Sequence, residues 1–293
     1  MQVHASVPLV AAGSAAASPA LEADPALDAV EGWIRSKTDD LPGLFAKAIR
    51  QALDEVIDGG RTGRWAVAQL EKTEKTYIGT KIEILVRTAL ELPREKPLDT
   101  VIAGHPVDIK WSSVRSTWQI PTEAVDQLCL LVGGDESRGT FEVGLLRCAE
   151  ALLNAGMNKD GKRTISRVGR ARIRWLVAAG TLPPNFLATL DPAVREAIMA
   201  EPPGQARVRK LFTLVQKTAV PRLTIETLAQ QRDPMRRIRK DKRDRLGGLR
   251  ILGGHYSKTN GIVQALGYPA LAKDEYMSVP RVELARLGIE DAL

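Results

Sequence analysis

The chain has 293 residues, 44% of them hydrophobic, with a mean hydropathy of -0.14. That is long enough for one large domain or two ordinary ones, and it contains no run of about 18 uninterrupted apolar residues of the kind a membrane-spanning helix needs. The net charge of +7 is unevenly spread: residues 1–150 carry 16 basic and 22 acidic side chains, residues 151–293 carry 26 and 13.

An acidic half joined to a basic half suits a polyanionic partner held by the second half. Nucleic acid leads, because no amphipathic anchor or lipidation signal points to a membrane. Residues 1–23 are rich in Ala, Ser and Pro, and no Lys or Arg precedes the short apolar run from Val7 to Ala12. A disordered tail is expected there rather than a signal peptide. Cys129 and Cys148 lie in apolar segments without CxxC or CxxH neighbours, so buried reduced thiols and a cytoplasmic setting are expected.

Leu27, Val30 and Ile34, then Leu44, Ala48, Ile49, Ala52, Leu53 and Val56, recur at helical spacing. They predict two helices separated at Asp39-Asp40-Leu41-Pro42, the second ended by Gly59-Gly60. Thr80 is the expected cap of a third helix, whose core face is Ile82, Leu85, Val86 and Ala89 with Glu83 at its edge. Residues 97–112 read as two strands around an Ala103-Gly104 turn. A two-residue loop sets Asp99 opposite Asp108; a one-step shift sets it opposite Lys110. Alternation puts Asp108 and Lys110 on one face and Val107, Ile109 and Trp111 on the other.

Gln127 to Val132 and Phe141 to Leu146 are expected to extend the sheet. Leu152 to Lys162 reads as a polar linker, and a domain boundary is set there: a tail over 1–23, a first domain over 24–156, a second over 157–293. The pattern then turns helical over Ile165–Ala179, Pro192–Ala200, Gln205–Gln216 and Thr224–Gln231. Asp233 as cap and Pro234 at the first position start another helix, to about Arg245. Two such helices around a tight turn suggest a helix-turn-helix, with Leu249–Leu252, Gly253-Gly254-His255 and Ile262–Leu266 as a wing.

Glu83, Asp99, Asp108 and Lys110 together suit metal-dependent phosphodiester hydrolysis. Asp99 and Asp108 offer hard oxygen ligands to Mg²⁺, the Ile109 carbonyl between them adds another, and Glu83 binds a second metal or a water of the first. Lys110 orients the attacking water and offsets phosphate charge. Asp-x-Lys alone is a weak signal, since Asp160-Gly161-Lys162 repeats it in a polar stretch; the apolar strand around Asp108-Ile109-Lys110 distinguishes the two. From Arg232 to Arg250, nine of nineteen residues are basic. Arg232, Arg236, Arg237, Arg239, Lys240, Lys242 and Arg243 are the expected DNA contacts, the alternative being a solvated face offset by Asp241 and Asp244. His4, His105 and His255 form no metal motif, and no Ser-His-Asp order, Walker loop or dinucleotide fingerprint is present.

These residues also carry a resemblance. Thr62-Gly63-Arg64, Lys72-Thr73-Glu74-Lys75-Thr76, Gly79-Thr80 with Glu83, Ala103-Gly104-His105, and Val107-Asp108 with Lys110 resemble the NaeI family of type II restriction endonucleases. Leu153-Asn154-Ala155-Gly156, Lys162-Arg163-Thr164, Gly169-Arg170-Ala171, Trp175-Leu176 and Ala229-Gln230-Gln231 continue it through the second half. The resemblance implies an α/β (α+β) endonuclease domain of the PD-(D/E)xK type followed by a mainly helical, winged-helix-like domain that binds a second duplex and activates cleavage in the first. It implies a homodimer cutting double-stranded DNA at a palindromic site, with Glu83, Asp99, Asp108 and Lys110 matching the catalytic set. Ile109 and Trp111 depart from the residues that flank the family's lysine. Two rival readings are a non-catalytic winged-helix regulator with a degenerate nuclease domain and a strand-nicking repair or defence nuclease.

Overall fold

The computed structural model describes residues 23–114, 117–231 and 246–289. Its first two helices begin where short acidic side chains cap them. The Asp24 carboxylate accepts the Leu27 N–H at 3.0 Å ahead of α1 (Pro25–Arg35), and that of Asp40 accepts the Gly43 N–H at 2.8 Å ahead of α2 (Leu41–Ile57). Asp58 closes α2 in the left-handed region with φ 48°, and the one-turn helix α3 (Gly59–Thr62) follows. The next helix, α4 (Lys72–Ala89), starts two turns before the expected Thr80. Glu74 begins it, accepting the Glu71 N–H at 2.9 Å, so the mixed-charge run Glu71-Lys72-Thr73-Glu74-Lys75 forms its first turn. Ile78, Ile82 and Val86 form its buried stripe.

Five strands form the main sheet in the order β1 (Thr100–Ile102), β2 (His105–Ser112), β4 (Leu128–Asp135), β5 (Thr140–Arg147), β8 (Arg174–Thr181). The β2–β4 pair is parallel and the others antiparallel, giving a mixed sheet. Its inner strands are buried on both faces, which accounts for the continuous apolar run of β4. One face, with Val107, Ile109, Leu128, Leu130, Val132, Val143 and Leu145, shares a core with α1, α2 and α4. The other, with Cys129, Leu131 and Leu146, packs under a small sheet of β3 (Gln119–Ile120), β7 (Arg163–Ile165) and β6 (Leu153–Met157).

Two expectations fail here for one reason. Residues 153–165 pair as a β-hairpin rather than run as a linker, and residues 174–181 form strand β8 where a helix from Ile165 was expected. Only α5 (Arg167–Ala171) of that helix exists. The Ala-rich spacing of 173–179 fits either period, and pairing with β5, distant in sequence, decides it. The boundary expected at residue 156 falls within β6, whereas the first helical-face core ends at Leu182 and the next begins at Leu187.

The second lobe holds α6 (Phe186–Thr189), which was not predicted, and α7 (Pro192–Met199), α8 (Gln205–Leu214) and α9 (Arg222–Ala229), close to the predicted helices. Its antiparallel sheet runs β10 (Leu249–Gly253), β11 (Glu275–Pro280), β9 (Val220–Pro221). Residues 262–265, expected in a wing, lie in α10 (Ser257–Ala265), and α11 (Arg281–Arg286) follows β11. Among the described residues, no helix is long and apolar enough to cross a membrane.

Candidate active site

The β1–β2 turn fixes the site. Ala103 and Gly104 both have positive φ, 50° and 82°, as a two-residue hairpin loop with the twist of its strands requires. Thr100 pairs with Val107 and Ile102 with His105, the first of the two predicted registers. Asp99, just before β1, is thereby brought level with Asp108. Its carboxylate accepts the Ile109 N–H at 2.7 Å, capping the edge of β2 where β1 has ended. The N–H and C=O of a strand residue point the same way, so the Ile109 carbonyl shares that edge.

Val107 and Ile109 enter the helical-face core with Trp111 against it, and alternation turns Asp108 and Lys110 to the opposite face. Asp108 is 5% exposed. The Lys110 ammonium lies 2.6 Å from Asp108 Oδ2, yet that oxygen is buried without a partner in hydrogen-bonding geometry. The contact is therefore an ion pair without the directional bond that normally offsets desolvation. Burial pushes the Asp108 carboxyl up to about 7, against the pull of Lys110 and with a smaller push from Asp99. For Lys110, burial works against the charged form, but Asp108 and Asp99 outweigh it and hold the ammonium above its ordinary range.

Glu83 approaches from α4. Its Oε1 is 3.4 Å from the Arg87 guanidinium, and burial first, then the Asp99 charge, raise its pKa against Arg87, Arg94 and Lys110. The four predicted residues thus lie within electrostatic reach of one another. Arg87 and Arg94 were missed by sequence reasoning; Arg87 carries a signal in hindsight, being one turn from Glu83 on the same helix face. Beneath the site, Cys129 pairs across the sheet with Asp108. Its thiol is pushed well up by a hydrogen bond with Cys148 and by burial, and both cysteines are free and buried, as expected.

Among the described residues, no three His, Cys, Asp or Glu side chains stand in a ready metal cluster. Donor chemistry nonetheless fits a hard cation: the buried Asp108 oxygen, paired only with the Lys110 ammonium, Asp99 and Glu83 are all carboxylates. The seven predicted DNA contacts, Arg232, Arg236, Arg237, Arg239, Lys240, Lys242 and Arg243, lie outside the described residues. His255 packs edge-on against Tyr256, and His105 begins β2.

Two comparisons bear on this geometry. The model of the restriction endonuclease NaeI family matches residues 35–293. The type II restriction enzyme NaeI of Lentzea aerocolonigenes is 33% identical over 248 residues, covering 80% of this chain and 76% of that enzyme.

Proposed function

The chain belongs to the NaeI family of restriction endonucleases, a site-specific deoxyribonuclease of type II, and from that premise we propose that Glu83, Asp99, Asp108 and Lys110 form its Mg²⁺-dependent cleavage site. The observation that supports it is β2 itself, where Asp99 binds the Ile109 amide at the edge and Lys110 forms an ion pair with the buried Asp108 on the adjoining face. On this reading the first lobe is a PD-(D/E)xK nuclease domain. The second lobe is a winged-helix-like domain that binds another duplex and activates cleavage, its helices α8 and α9 and antiparallel sheet supporting the assignment. The enzyme acts in the cytoplasm as a homodimer, which a cut on both strands of a palindrome requires.

Asp99, Asp108 and the Ile109 carbonyl would hold the cation, with Glu83 at a second metal or a shell water. Mg²⁺, when bound, supplies charge stabilisation to the phosphate oxygens. Lys110 orients the attacking water and offsets charge developing on the phosphorus oxygens. Asp99, by gripping the Ile109 N–H, fixes the strand edge on which these groups stand. Arg87 keeps the raised Glu83 carboxyl toward its ionised form.

Incubation with a set of plasmids and Mg²⁺ tests the assignment. Discrete linear products are expected, and their ends give the target sequence and cut position. Absence of cutting across varied plasmids, nicked circles as the end product, or full cleavage by Asp108→Ala would each overturn it.

A further inference from the structure

The two lobes meet at a short loop that also grips the helix carrying Glu83. α9 belongs to the second core through Ile225, Leu228 and Ala229, and it ends at Gln230 with φ 48°, just before the basic segment. α3 packs along α9. Gly63, which follows α3, has φ 73°, and a Cβ there would overlap the Gln230 side-chain amide. The next side chain but one, Trp65, packs against the second core.

This loop is rigid. Thr62 Oγ1 donates to the carbonyls of Ile57 and Asp58, 2.9 Å from each, and accepts the Arg64 N–H at 3.2 Å. Arg64 then reaches the first turn of α4 with both guanidinium ends: Nη1 to Glu74 Oε2 at 2.8 Å and Nη2 to Glu74 Oε1 at 2.7 Å. A planar fork of this kind fixes orientation as well as distance. It holds the Glu74 carboxyl down at about 2, and the same side chain starts α4 by accepting the Glu71 N–H. Glu83 lies nine residues on, about 13 Å along one continuous helix.

We propose that Gly63 and Arg64 are positioning residues that pass the placement of α9 to α4. A duplex bound by the second lobe would then set Glu83 at the cleavage edge. The proposal rests on the reading that a second duplex activates the enzyme. A rise in cleavage on binding elsewhere requires an element whose placement both sites bias, and the Gln230–Gly63 contact followed by the Arg64–Glu74 fork is such an element.

The test uses the full-length protein on a plasmid bearing one mapped site, with and without a short duplex of the same sequence. The wild type is expected to be stimulated about 5- to 150-fold. Glu74→Gln keeps the capping acceptor but loses the charged fork, and Arg64→Lys keeps the charge but loses its planarity. Both are expected to stay within about threefold of the wild-type unstimulated rate while stimulation falls to about twofold or less. Gly63→Ala, strained at φ 73° and overlapping the Gln230 amide, should lose stimulation in the same way, and Gln230→Ala, which removes the other side of that contact, should lower it too. Stimulation at the wild-type factor in Glu74→Gln and Arg64→Lys, or loss of the unstimulated rate in equal proportion, would overturn the junction's role. A wild type indifferent to added duplex would instead sink the activation reading itself, which separates the two failures. Thermal melts confirm that each variant folds.

Discussion

The tripeptide Asp-x-Lys occurs twice in the described chain, and the two copies have little else in common. Asp108-Ile109-Lys110 runs along a sheet strand, with Asp108 5% exposed and the Lys110 ammonium 2.6 Å from its carboxylate. Asp160-Gly161-Lys162 turns the corner between β6 and β7. There Asn158 Oδ1 accepts the N–H groups of both Asp160 and Lys162 at 2.9 Å, with Gly161 at φ 73°. In the strand, alternation aligns both side chains on one face and burial makes the ionised carboxylate costly without a cation. In the turn, water does that work. On the proposed reading, reactivity comes from the strand's surroundings, and the tripeptide supplies only the functional groups.

Removing each pair in turn breaks the comparison most directly. Asp108→Ala and Lys110→Ala are expected to reduce the cleavage rate about 10³-fold or more, in the range of lost charge stabilisation and proton handling. Asp160→Ala and Lys162→Ala should stay within about twofold of wild type. Single-turnover rates on a linear duplex measure both. Comparable losses in the two pairs would show that the turn copy takes part, and that strand burial is not what separates them.

The contrast also shows how much was legible beforehand. The apolar strands β4 and β5 are local patterns, and the structure keeps them. Of the two hairpin registers left open, it takes the one that sets Asp99 level with Asp108, and the caps at Asp24 and Asp40 emerge only with the structure. What was misread depended on partners far along the chain. Residues 174–181 are a strand because β5 offers them an edge, and residues 153–165 are a hairpin because β3 pairs with β7. The start of α4 was placed late because Glu71 and Glu74 look like surface charge until their capping is seen. At the site, Asp108 and Lys110 were legible as residues. The missing hydrogen bond on Asp108 and the approach of Arg87 and Arg94 to Glu83 were not, because they come from packing α4 against β2.

Acidity sharpens the comparison further. The Asp108 carboxyl, raised to about 7 mainly by burial, holds its proton below that pH in the folded protein, so a cation must displace that proton to bind. The Mg²⁺ concentration giving half-maximal cleavage is therefore expected to climb as pH falls below about 7, by up to about tenfold per unit, and to level off above it. Lys110, held charged by the same carboxylates, does not change state in that window. An Asp160→Asn variant should trace the wild-type curve. Rates measured across Mg²⁺ series at several pH values give the answer, and a requirement that is flat with pH would mean that Asp108 is ionised without metal and that Lys110, not burial, dominates its acidity.

The smallest expected effect concerns the turn copy itself. If Asp160 and Lys162 serve only the corner, their geometry depends on Asn158, whose one side-chain oxygen accepts two backbone N–H groups. Asn158→Ala leaves those groups to water at an exposed site, a loss of about 1 kcal/mol, which corresponds to a melting point lower by about 2–4 °C for a domain of this size. The hairpin packs its Leu153 and Ile165 into the core beneath the main sheet, on the face that Asp108 and Lys110 also share. A loosened corner that left cleavage and its Mg²⁺ requirement unchanged would confine Asp160-Gly161-Lys162 to the fold. A cleavage rate that fell while the melting point held would instead tie this hairpin to the DNA, and the two copies of the tripeptide would then differ in what they touch as well as in how deeply they are buried.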